Sequence, residues 1–230
     1  MQTNKPWYYE HLNFFKGLDK EAKKTIEKIA AIKKFKKGQI IATLDTPCKV
    51  VYILNKGRAE VYLLSFDGKK IILAIRKPGD ILGLTTLCGF RRRMSYVSAL
   101  EDLETLSIDV DNFEKFIMNN IILAGKIIRI LGARLHHSRM IIEDLGTKNV
   151  KDRLVRVLLN LSQDFGQDSN EGIKLDINLT HEQFSQIIAS SRQTVTIALN
   201  LLESEGLIKR QGKNILIVDQ KILESFLSYE

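Results

Sequence analysis

Residues 179–218 read LTHEQFSQIIASSRQTVTIALNLLESEGLIKRQGKNILIV, and the fold is read outward from them. Thr180 is a candidate N-cap, and Gln183, three residues on, completes a capping box. Phe184, Ile187 and Ile188 give the first helix one apolar face. Ala189, Ser190 and Ser191 interrupt the pattern, and a second helix begins near Ser190 or Ser191. Val195, Ala198, Leu199 and Leu202 recur at helical spacing on its buried side, and Gly206 suits a terminator. Leu207, Ile208 and the apolar run 215–218 flank Gly212 as a hairpin. Helix, turn, helix and hairpin in that order predict a winged helix-turn-helix.

Arg192, Gln193 and Thr196 remain polar in the first turns of the second helix, the part that reaches base edges when such a helix enters the major groove. Thr180, His181, Ser191 and Thr194 lie at the two helix starts and are further candidates for DNA contact. Lys209, Arg210 and Lys213 surround the hairpin tip, where they suit phosphate contacts, which position rather than specify. A small helical core with a solvated face is the other reading of the same periodicity.

Upstream, residues 151–165 form a helix with Leu154, Val155, Leu158, Leu159 and Leu161 apolar. Residues 166–172 read as a polar loop, and Ile173, Leu175 and Ile177 as a short strand. Residues 146–150 read as a hinge. Before it, one long helix is predicted over residues 111–145. Ile117, Ile121, Ala124, Ile128, Leu131, Leu135, Ser138, Ile142 and Leu145 form a seam of roughly four heptads. No matching long helix exists in the chain, so the partner is a second copy. Phe113, Leu123, Ile127 and Ile130 form a second strip facing the preceding domain.

That domain is rich in short strands. Asn55 to Gly57, Asp67-Gly68 and Pro78-Gly79-Asp80 mark turns at even spacing, the pattern of a double-sheet jelly roll or barrel. A plain sandwich without a ligand fits as well. Val61, Leu63, Ile72 and Ala74 are inward positions, and Ala99, Leu103, Leu106 and Ile108 continue the β region. Strands begin near Lys37; residues 5–35 read as amphipathic helix, with Leu12, Phe14, Phe15 and Leu18 tucked inward, then Asp19 capping a helix that buries Ala22, Ile26, Ile29 and Ala30. Residues 82–99, LGLTTLCGFRRRMSYVSA, combine Gly83 and Gly89 with Arg91, Arg92 and Arg93, an anion cradle or simply an exposed arginine loop.

The 230-residue chain has room for one large or two modest domains, and 44% hydrophobic with 27% charged residues is an ordinary globular balance. Its formal charge of +8 suits a polyanionic partner. Cys48 and Cys88 supply neither a disulfide framework nor an iron–sulfur ligand set, and read as small buried hydrophobes in a reducing compartment. The four histidines form no metal pattern, and no apolar run reaches membrane-spanning length.

Four segments, KPGDILG (77–83), MIIEDL (140–145), KDRLVRVLLNLSQDFG (151–166) and the stretch quoted first, resemble the cyclic-AMP-receptor and fumarate-nitrate-reductase regulator family of bacteria. They are most similar to the cyanobacterial nitrogen-control regulator and its red-algal plastid relatives. The resemblance covers nearly the whole chain. It implies an α+β chain with an N-terminal double-stranded β-helix (jelly-roll) sensor over residues 1–110, a dimerisation helix over 111–146 and a winged helix-turn-helix over 147–230. It further implies a homodimer on palindromic double-stranded DNA, an activator meeting RNA polymerase, no catalysis, no membrane, and a cytoplasmic setting (plastid stroma if plastid-encoded). No cofactor follows from it; the effector it implies is a small dicarboxylate such as 2-oxoglutarate. Gly83, Leu84 and Thr85 match the backbone cradle, Arg93 the cassette arginine and Arg134 the arginine of the long helix.

The chain also departs from the family. Leu84 stands where the cyclic-AMP receptor has a glutamate, against a cyclic-nucleotide ligand. Arg139 reverses the charge of the nitrogen regulator's helix glutamate, and the loop before Arg93 is shorter. Gln193 and Ile197 replace residues of the family's reading helix. A ligand-independent regulator is therefore the first alternative. The second is an anion-processing enzyme in the β roll, for which residues 82–99 offer no acid or histidine.

Overall fold

The computed structural model describes residues 13–90, 92–212 and 214–225. Leu12 and the helix expected over residues 5–12, Arg91 and Lys213 lie outside the described residues. The chain divides into two compact units, Met1–His136 and His137–Glu230.

In the first unit the chain enters α1 (Lys20–Ile29), capped by Asp19, whose carboxylate accepts from the Ala22 amide at 2.7 Å. Ala22 and Ile26 are its buried residues. The helix expected to run to Phe35 stops there, because Ala30–Phe35 forms strand β1. Alanine and lysine favour helix, but all six residues of β1 pair antiparallel with β8 (Leu103–Asp109), and that ladder overrides local propensity. The other strands are β2 (Ile40–Ala42), β3 (Val50–Lys56), β4 (Ala59–Leu64), β5 (Lys70–Arg76), β6 (Ile81–Leu82) and β7 (Tyr96–Ala99). They form two antiparallel four-stranded sheets, β1-β8-β3-β6 and β2-β7-β4-β5, which is the expected jelly roll. Gly57, Gly68 and Gly79 all have positive φ at the turns that the sequence marks.

β3 shows how the sheets share the core. Tyr52 and Leu54 pack with Phe35, Leu82, Val97 and Leu103 between the sheets. Val51 and Ile53 point to the opposite face, against Ile26, Phe113, Ile127 and Ile130 of the helices. One prediction slips here: Leu63 is 36% exposed, while its neighbour Tyr62 is buried. A β-bulge between Val61 and Tyr62 shifts the alternation by one residue.

The long helix is also broken. α2 (Val110–Met118) buries Phe113, Phe116 and Ile117, and the chain then turns by 112° into α3 (Ile121–Thr147). Asn119 caps the first helix, and Asn120 accepts from the Leu123 amide at 3.1 Å to start the second. Ile117 therefore belongs to the roll core and not to the seam. On α3, Leu123, Ile127 and Ile130 are buried as expected. Lys126 is buried beside them, its Nζ donating to the carbonyls of Phe14, at 2.9 Å, and Lys16. Ile121, Ile128, Leu135 and Ile142, spaced by seven, are 84%, 70%, 56% and 69% exposed.

In the second unit, α3 stops at Thr147 and α4 (Val150–Phe165) begins after Asn149, which caps it by accepting from the Asp152 amide at 3.1 Å. An Asp144–Arg156 ion pair of 3.3 Å spans this break. The polar loop expected next is instead strand β9 (Gly166–Ser169), a fully exposed edge whose backbone pairs with β10 (Gly172–Leu175) and needs no apolar residue to do so. Then follow α5 (His181–Ile187), α6 (Arg192–Ser204), β11 (Ile208–Gln211), β12 (Asn214–Ile217) and α7 (Gln220–Ser225), which the sequence pattern does not announce. The sheet order is β11-β12-β10-β9. Among the described residues no single helix is long and apolar enough to cross a membrane. Contrary to expectation, Cys88 is exposed; the side chain buried in its short turn is Leu84.

The exposed heptad leads to a prediction. Ile128→Glu is expected to raise the homodimer's dissociation constant at least about tenfold, since each of two copies loses roughly 1.5–3 kcal/mol of apolar burial. Sedimentation equilibrium measures it, and unchanged self-association would remove this seam from the interface.

Candidate nucleic-acid interface

The helix-turn-helix is fixed by its caps. The Thr180 hydroxyl accepts from the Gln183 amide at 3.1 Å, and the Gln183 side chain accepts from the Thr180 amide at 2.9 Å, closing the predicted capping box. Phe184 and Ile188 are buried, while Ile187 is half-buried. The turn depends on Ala189, which has φ +50°, a left-handed conformation that few non-glycine residues adopt. Ser191 then caps α6, accepting from the Thr194 amide at 3.0 Å. Val195, Ala198, Leu199 and Leu202 are all buried.

What α6 presents outward follows from this registry. Ser191, Arg192, Gln193 and Thr194 are exposed at its N-terminal end, where the helix dipole and Arg192 both favour an anionic partner. Thr196 is half-buried: its hydroxyl donates to the Arg192 carbonyl at 2.9 Å and lies 2.9 Å from His181 Nδ1. Thr180, His181, Glu182 and Arg192 line one open cleft between α5 and α6.

The wing residues divide. Lys209 is exposed and pairs loosely with Glu171 at 3.7 Å. Arg210 turns back onto α6: Nε donates to Glu203 Oε2 at 2.8 Å, Nη2 donates to Glu203 and to Asn200 Oδ1 at 2.9 Å, and its amide donates to Glu203 Oε1 at 3.0 Å. Glu203 and Asn200 are absent from the sequence-derived candidates. They meet Arg210 across the turn at Gly206, where no periodic pattern connects them.

The effector candidates lie in the first unit. Gly83 has φ +90°, and a Cβ there would strike the Arg93 guanidinium and approach the Val50 carbonyl at 3.3 Å. Arg93 is buried and donates to that same carbonyl at 2.6 Å. Leu84 points into the core beside Phe113 and Leu123, and Thr85 is half-buried. Arg134 donates to the Ile81 carbonyl at 2.7 Å, on the strand that leads into Gly83. Burial first, then Arg76 nearby, press its guanidinium down to about 9, against the pull of Asp80. Arg139 is exposed and falls in the second unit.

Comparison with known proteins agrees with both halves. A cyclic nucleotide-binding domain model matches residues 32–120, and a Crp-like helix-turn-helix domain model matches residues 152–226. A CRP-like cAMP-activated global transcriptional regulator of Mycobacterium tuberculosis is 26% identical over 209 residues, 91% of this chain and 93% of that one. A global nitrogen regulator of Synechococcus elongatus is 29% identical over 199 residues, 86% and 90% of the two chains. The structure of a CooA mutant from Carboxydothermus hydrogenoformans superposes with a TM-score of 0.76 at 26% identity, covering 98% of this chain and 96% of that one.

The Arg210 latch has a pH signature. Its hydrogen bonds hold the Glu203 carboxyl below the usual glutamate range. A depressed carboxyl contributes fully above its ordinary range and loses that contribution as pH falls through the lowered value. Carbon-13 NMR is expected to show Glu203 titrating below the ordinary glutamate range, and returning towards that range in Arg210→Ala. Equal titration in both proteins would mean that the latch does not form.

Proposed function

Because this chain belongs to the cyclic-AMP-receptor/fumarate-nitrate-reductase family of transcription regulators, whose members bind specific DNA sequences as homodimers, we propose an activator that reads a palindromic duplex site with two symmetry-related α6 helices. The observation that carries the reading is the exposed, capped start of α6, with Arg192 and Gln193 side by side on it. Arg192 suits the guanine edge and Gln193 the adenine edge, each by two hydrogen bonds. Thr180, His181, Ser191, Thr194, Lys209 and Lys213 serve the phosphates. Thr196 holds His181, and Arg210 orients the wing from Glu203.

In this proposal residues 1–110 sense, residues 111–146 pair the subunits, chiefly through α3, and residues 147–230 bind DNA. The effector is a small dicarboxylate such as 2-oxoglutarate, held by the Gly83–Thr85 backbone with Arg93 and Arg134. A buried Arg93 and a half-buried Arg134 at one short strand junction support an anion, and Leu84, buried in the core, offers nothing to a ribose. Binding shifts the population of dimers towards the DNA-competent form, which recruits RNA polymerase in the cytoplasm or plastid stroma. A ligand-independent regulator remains a second reading, favoured by the fact that both arginines already donate to protein carbonyls.

Two measurements test the proposal. Arg192→Ala is expected to lower discrimination between specific and random duplex by about 1–3 kcal/mol per half-site, whereas Lys209→Ala weakens both alike and reduces the salt slope. Equal losses on both duplexes from Arg192→Ala would contradict base reading. Titration with 2-oxoglutarate is expected to raise specific DNA affinity, and Arg93→Ala to abolish the response. Undiminished affinity in ligand-free protein, with no response to the acid, selects the second reading.

A further inference from the structure

One apolar side chain occupies the middle of the outward face of α6. Successive residues on a helix turn by about 100°, so the buried set Val195, Ala198, Leu199 and Leu202 lies opposite Gln193 and Ile197. Ile197 is 61% exposed, one turn beyond Gln193 on the same face. Ile197 buries little of its side chain against the described residues of the second unit. A β-branched residue is a poorer helix former than the alanine, lysine or glutamate that an exposed site accepts, and this one buries little. Of its neighbours on the face, Gln193 and Asn200 are polar, while Leu201, one turn further on and 43% exposed, is apolar and sits nearer the buried side.

We propose that Ile197 is a specificity-determining residue that reads the C5 methyl group of a thymine in the major groove. This rests on the reading that α6 enters that groove with its N-terminal turns. Thymine alone presents an apolar group on the major-groove edge, and an aliphatic side chain that packs on it loses water on both sides. Against guanine, adenine or cytosine the same side chain covers polar base atoms and offers them no hydrogen bond, so the discrimination has a repulsive part as well. Gln193, four residues earlier, reads the neighbouring pair by hydrogen bonds. The half-site then holds a thymine at a fixed step from the guanine read by Arg192.

The test uses the full-length homodimer. Sites are selected from a randomised duplex pool, and each thymine of the selected site is replaced in turn by deoxyuridine, which lacks only the methyl group. At one symmetric position the replacement is expected to weaken binding about fourfold per half-site, and about fifteenfold when both half-sites carry it. Ile197→Ala is expected to bind the thymine and deoxyuridine duplexes equally at that position while keeping the guanine preference that Arg192 confers. Ile197→Val is expected to retain part of the methyl effect. Equal binding of thymine and deoxyuridine at every position overturns the proposal and leaves the α6 reading intact, as does a methyl effect that persists in Ile197→Ala. Failure to enrich any duplex at low salt overturns the α6 reading, and this proposal with it.

Discussion

Helix α3 has two apolar faces, and a single chain covers only one of them. Leu123, Ile127 and Ile130 are sealed into the roll. Ile121, Ile128, Leu135 and Ile142 stand in solvent at heptad spacing. A seven-residue repeat keeps such a stripe facing a partner along its length, and each large aliphatic side chain removed from water contributes roughly 1.5–3 kcal/mol. Pairing with a second copy satisfies this stripe on both chains at once and imposes a twofold axis. In the proposed function, that axis gives two symmetry-related copies of α6, one for each half-site. The break at Asn119–Asn120 is part of the same solution: α2 packs into the roll core, and α3 sets off at 112° with a fresh cap.

The reading module separates what is fixed from what is left open. Its frame is fixed by short-range chemistry: a closed capping box at Thr180, a left-handed Ala189, a capped start at Ser191 and the Arg210 bridge to Glu203. The outward side chains of α6 at Arg192, Gln193 and Ile197 remain solvated. A backbone frame held by such local contacts has less conformational freedom to lose on association. Arg210 is instructive because basic character alone placed it among phosphate contacts. In the fold its guanidinium also bridges to Glu203 and Asn200 of α6.

Much of this was legible in the chain because it is encoded locally. Capping residues sit three positions apart, the four buried positions of α6 follow helical spacing, and the turn glycines need a conformation that glycine provides. What was not legible depends on partners distant in sequence. Ala30–Phe35 becomes a strand because β8 lies beside it some seventy residues later, a pairing that its lysines and alanines do not advertise. β9 is held by backbone bonds, to which side-chain patterns are blind. The bulge at Val61/Tyr62 moves Leu63 outward without any signal in the alternation. Ile117 fits the heptad by count alone, and only the break two residues later removes it from the seam.

The same distinction bears on the sensor. A ligand shifts an equilibrium only as far as it binds the two states differently, so an effector must touch groups whose relation changes between them. Arg93 belongs to the roll and Arg134 to the pairing helix, where it directly precedes Leu135 of the exposed seam. An anion reaching both arginines would tie the strand junction at Gly83 to the helix that sets the dimer. Its negative charge would also offset the burial and the Arg76 repulsion that hold the Arg134 guanidinium near 9. The carbonyls of Val50 and Ile81 now occupy that role in part, as uncharged acceptors. A dianion must outcompete them, and it has the advantage of charge: a charge-assisted hydrogen bond in an enclosed site is about twice as strong as one to a neutral acceptor.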